Sequence, residues 1–96
     1  MKPVIFRGEK YTARVTSYPT GVPAIVLVDD VGQPELVATK HVPEAELQPG
    51  ETCVKDYSEN DGVLQALVSA GVVEDTGVRL QAGWTHLSVV RVVAGA

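Results

Sequence analysis

The first forty residues alternate apolar and polar positions in short runs cut by glycine and proline, the pattern of β-strands joined by tight turns. Val4-Ile5-Phe6 predicts a first strand, and Arg7-Gly8-Glu9-Lys10 turns the chain into a second over 11–17. There Tyr11, Ala13 and Val15 alternate with Thr12, Arg14 and Thr16, so one side is buried and the other faces water. Tyr18-Pro19-Thr20-Gly21 fits a type I turn, with proline fixing φ at the second position. Residues 22–28 are apolar on both faces, the mark of a central strand covered from both sides. Pro23 sits at its start, where no ladder donor is lost. A turn cluster at 29–34 then leads to a fourth strand over 35–41 and completes an antiparallel meander.

Residues 44–50 have no sustained period and end in Pro49-Gly50, after which 51–55 predicts one more short strand. Ser58 with Asp61 three residues later resembles a capping box and predicts a helix over about 59–70. Leu64, Leu67 and Val68 form one apolar stripe on it, and Gly71 supplies a left-handed stop. Glu74-Asp75-Thr76-Gly77 reads as a turn, and the segments 78–81 and 84–93 predict a terminal hairpin about Ala82-Gly83. The run 87–93 is apolar on both faces apart from Ser88 and Arg91, so it is expected inside the sheet beside the early strands. Together these elements predict an α+β fold: an antiparallel β-sheet meander, one α-helix packed on one face, and a C-terminal β-hairpin. At 96 residues the chain has room for a single domain, 1–96.

Composition narrows the class. With 45% hydrophobic and 21% charged residues the chain belongs with folded globules. One cysteine forms no internal disulfide, and the first residues lack an apolar signal region, so a reducing, cytoplasmic setting is expected. The apolar run 22–28 falls short of the ~20 residues of a membrane helix, and no membrane role is expected. The net charge of −4 is concentrated: Glu44, Glu46, Glu51, Asp56, Glu59 and Asp61 face Lys55 alone over residues 44–61, while the flanking segments nearly cancel. A helix N-terminus accounts for Glu59 and Asp61. Glu44, Glu46, Glu51 and Asp56 are left over, and suit a basic groove on another protein.

Catalytic chemistry finds no constellation. Cys53, His41 and His86 match no metal-ligand spacing, and neither a metal nor a cofactor is expected. Cys53, between Thr52 and Val54 on a strand, reads as a small buried hydrophobe instead of a nucleophile. Ser58 and Ser88 lack a nucleophile elbow, and the glycines at 62, 71, 77 and 83 make no phosphate loop. No catalytic residue is therefore assigned. Eight scattered basic residues give no face for direct nucleic-acid binding. Tyr18 and Trp84 are candidate aromatic anchors for a protein partner, or else covers for sheet edges.

The run Lys55-Asp56-Tyr57-Ser58-Glu59-Asn60-Asp61-Gly62-Val63-Leu64, followed by Ala66-Leu67-Val68 and Ala70-Gly71-Val72-Val73, resembles a family of small bacterial proteins carried by phages, plasmids and other mobile elements. The shared motif is Lys-Asp-Tyr-Ser-Glu-Asn-x-Gly-x-Leu, with a looser likeness through Val89-Val90-Arg91. The resemblance carries no catalytic residue and implies an accessory binding protein. The leading expectation is a non-enzymatic inhibitor of a host defence complex, anti-CRISPR or anti-restriction, that meets a basic protein surface through Glu44, Glu46, Glu51, Asp56, Glu59, Asp61 and Trp84. A second reading is a small-ligand or enzymatic domain with a pocket between helix and sheet, using Cys53, His41 or His86. A third is a homodimer built by edge-strand pairing.

Overall fold

The computed structural model describes residues 3–93. β1 (Val4–Phe6) and β2 (Glu9–Ser17) are joined by Arg7-Gly8, both at positive φ, 53° and 79°. That is the two-residue turn whose twist matches its strands. A left-handed conformation strains arginine. The guanidinium offsets this by lying 5.0 Å from the Phe6 ring centre and donating to the carbonyls of Ser58 and Asp61, at 3.3 and 3.4 Å. β3 (Pro23–Val28) pairs with β2 from Thr12↔Val28 to Ser17↔Pro23, and β4 (Pro34–Val37) takes its other side. As the alternation predicts, Ala13 is buried while Thr12, Arg14 and Thr16 are exposed.

The single strand expected over 35–41 is two strands in different sheets. β4 ends at Val37, and β5 (Thr39–Lys40) pairs with β6 (Glu51–Lys55). Ala38, fully buried between them, donates to the Ile25 carbonyl on one side and accepts from the Lys55 N–H on the other. The chain thus turns a corner here from one sheet into the other. Thr39 Oγ1 then accepts from the Ile25 N–H, and Thr52 Oγ1 donates to the Pro23 carbonyl at 2.6 Å. The open edge of β3 is thus closed by side chains of the second sheet.

α1 (Val63–Ser69) is shorter than the spacing predicts, because a single 3-10 turn at Ser58–Asn60 precedes it. Ser58 is not the cap: it lies at φ 55° and makes no capping bond. Asp56 does that work, its Oδ1 accepting from the N–H groups of Gly62 and Leu64 at 2.9 and 3.1 Å. Gly71 does stop the helix. Its N–H bonds the Val68 carbonyl while that of Val72 bonds Leu67, the paired closure of a Schellman motif.

β7 (Val73–Ala82) and β8 (Thr85–Val92) form the C-terminal hairpin. The quartet 74–77 does not turn the chain; it is part of a bulge in β7, where Thr76, Gly77 and Val78 stand opposite Val89 alone. Thr76 Oγ1 fills the broken ladder by donating to the Val89 carbonyl at 2.7 Å. β8 is central, as its two apolar faces demand, but its neighbours are β6 and β7 instead of the early strands.

The sheets run β1-β2-β3-β4 and β5-β6-β8-β7. Val4, Phe6, Ile25 and Leu27 from the first meet Val54, Val73 and Val90 from the second, with Val63 and Leu67 of α1 sealing the space. A second, smaller cluster lies on the outer face of the second sheet, where Cys53, Leu87 and Val89 are covered by Val42, Leu47, Tyr57, Leu80 and Ala82. Each such buried aliphatic contributes ~1.5–3 kcal/mol against leaving it exposed. Among the described residues no helix is long and apolar enough to cross a membrane.

Candidate interaction surface

The acidic run is continuous in sequence but divided in space by β6. Glu44 and Glu46 precede the strand on the segment 42–50, and Glu51 opens it, registered against Arg91. Asp56, Glu59 and Asp61 follow its end, where Lys55 registers against Leu87. Five residues of strand set its two ends ~13 Å apart. Two of the six carboxylates are engaged locally: Glu51 Oε1 accepts from the Gln48 N–H at 2.9 Å, and Asp56 caps α1. Glu44, Glu46, Glu59 and Asp61 are exposed.

Trp84 lies at the same end as Asp56. The β7–β8 turn is Gly83-Trp84, with Ala82 registered on Thr85 and Gly83 at φ 62°. Glycine at the first central position is what a two-residue turn of this hand requires. The turn falls one residue beyond the expected centre, so Trp84 is a tip residue instead of the first residue of a strand. Its relative accessibility is 101%, as open as in an extended chain. Below the tip, Arg79 grips Asp75 through two bonds of 2.9 Å. That grip, helped by the Gly77 N–H, lowers the Asp75 carboxyl to about 2. Asp75 in turn raises Arg79, with a smaller contribution from Asp56.

Tyr18 is not a free anchor. Its ring stacks on His41 at 4.5 Å and 7°, its hydroxyl shares a 2.9 Å hydrogen bond with Thr39 Oγ1, and His41 Nε2 meets Thr20 Oγ1 at 2.9 Å. Cys53 is buried in the outer cluster, and burial, with the Glu51 charge beside it, pushes its thiol up and away from the reactive thiolate. His86 is exposed on β8. A cleft of about 360 Å³ does lie between β1 and α1, but its only charged side chains are Arg7 and Asp61, and Cys53, His41 and His86 do not line it. Among the described residues no group of three His, Cys, Asp or Glu is placed to hold a metal ion.

Two features escaped sequence reasoning. Asn60, inside the acidic run, is buried and its Nδ2 donates to the Val37 carbonyl at 3.0 Å, which fixes the acidic turn against β4. Glu9, Asp29, Asp30 and Glu35 gather with Lys10 and Tyr11 around a cleft of about 550 Å³ at the far end of the first sheet. The turn chemistry of Asp29, whose Oδ1 accepts from the N–H groups of Val31 and Gln33, signals the loop but not the gathering. No protein-family model matches this chain, and no curated protein or solved structure matches it.

Proposed function

We propose that the chain is a non-enzymatic, cytoplasmic protein-binding module whose principal contact is the tip of the β7–β8 hairpin. The observation that carries this reading is the bare Trp84 on a two-residue turn. An indole left fully in water forgoes on the order of 5 kcal/mol of burial, for ~200 Å² at 25 cal/mol/Å². Tryptophan is also the residue type that most often dominates an interface. The narrower reading, an inhibitor of a defence complex with a basic surface, is supported by the exposed carboxylates and by the likeness to mobile-element proteins.

The test is capture of host proteins by the tagged chain, followed by affinity measurement on the partner identified. Trp84→Ala should weaken that affinity by roughly 30-fold or more, the equivalent of a 2 kcal/mol hot spot. The charge contribution is read from Glu44→Lys/Glu46→Lys against Glu59→Lys/Asp61→Lys, one pair for each end of β6. Asp56 and Glu51 are left intact because each holds a local backbone turn. An affinity that ignores Trp84→Ala would overturn the hairpin reading.

A further inference from the structure

The segment 42–50 crosses the outer face of the second sheet without joining it. Its backbone bonds are its own, Ala45 N–H to Val42 and Glu51 N–H to Gln48, until Gly50 accepts from Val92. Between those points Val42 and Leu47 hold it down, by packing on the cluster of Cys53, Leu87 and Val89. The start is tied by His41, stacked on Tyr18 and bonded to Thr20, and the end by Gln48 and Glu51. Few apolar contacts and no shared ladder are the attributes of a unit that opens locally.

We propose that 42–50 is a strap that lifts off the second sheet, pivoting at His41 and Pro49-Gly50, while both sheets stay folded. Opening removes Val42 and Leu47 from the cluster and so uncovers Cys53, Leu87 and Val89 on that side. The device is conformational and stands apart from the partner reading, since it belongs to the free protein.

Cys53 is the only cysteine and therefore a built-in probe. Its labelling by a maleimide is followed in native buffer and in urea below the unfolding transition. A strap predicts a rate nearly independent of urea, because little surface is exposed on opening, and Leu47→Ala should raise it about tenfold for the loss of a half-buried leucine. Leu80→Ala packs on the same cluster from β7, keeps its loss in both positions of the strap, and should leave the rate within about twofold. Trp84→Ala should leave it unchanged. A rate that climbs with urea along the global unfolding line, or that responds equally to Leu47→Ala and Leu80→Ala, overturns the strap.

Discussion

Replacing Asp56 tests most directly how this chain starts its helix. One carboxylate oxygen accepts from Gly62 and Leu64, so alanine leaves two donors without a partner. Gly62 is exposed and water takes its N–H at little cost, whereas Leu64 is half-buried and pays part of a desolvation penalty of ~1–3 kcal/mol. The charge at the positive end of the helix adds a few tenths. The sum is about 2 kcal/mol, at the top of the range for cap removal. In a chain of this size that lowers Tm by on the order of 10 °C. Asp56→Asn keeps an acceptor and should lose about half as much.

The contrast with Ser58 makes the prediction sharp. A capping-box serine would cost ~1 kcal/mol on conversion to alanine. Here Ser58 makes no cap bond and lies at φ 55°, so Ser58→Ala should change stability by less than about 0.5 kcal/mol. Ser58→Gly should stabilise by up to ~1 kcal/mol, because glycine accepts a left-handed backbone without strain. Urea melts followed by far-UV circular dichroism give all four values. Ser58→Ala matching Asp56→Ala, or Ser58→Gly falling below the parent, would refute the assignment of the cap.

Three further outcomes follow from single contacts. Asp75 is held at about 2 in the fold against 3.8 as an isolated group, so its pairing with Arg79 stabilises fully above pH 3.8 and is lost as pH falls through about 2. Both side chains are partly exposed and screening caps the effect at about 1 kcal/mol; Asp75→Asn should trail the parent at pH 6 and match it near pH 2, and an equal gap at both would sink the pairing. Thr52→Val preserves shape but strips the Pro23 carbonyl of its donor, and should lower the urea midpoint by the equivalent of ~1–2 kcal/mol. Trp84, the sole tryptophan, should emit like indole in water in the folded state and shift little on unfolding; a blue-shifted native spectrum would contradict its exposure.

The elements written in local chemistry were legible. Alternation placed β2, a two-faced apolar run placed β3, and Gly71 placed the end of α1, because each depends on residues within one or two turns of chain. What escaped depends on distant partners. Residues 35–41 keep the alternation of a single strand, and only Ile25 and Lys55, far along the chain, divide it at Ala38. Asp-Thr-Gly serves a turn and a bulge equally well, and the continued register of β8 decides for the bulge at 75–79. The spread of the acidic run is likewise invisible locally, since β6 stands between Glu51 at its start and Asp56 past its end. Trp84 was within reach: reading Gly83 as the first central residue of a two-residue turn would have put the indole at the tip.

The contrast between guarded edges and an unguarded tip is the strongest structural argument for how the protein is used. β1 is three residues long, and β5 only two. β4 begins at a proline, and its last carbonyl is taken by Asn60. β7, the long edge, is broken by a bulge and crossed by the Asp75–Arg79 pair. Each is a known device against strand addition, and together they oppose dimerisation through any edge. A chain so protected against backbone association gains nothing from a bare indole, which raises the risk of the same aggregation. Trp84 also supports no fold contact that alanine would lose. Its exposure is therefore a cost with no return among the described residues, and burial in a partner's pocket, as proposed above, is what would recover it.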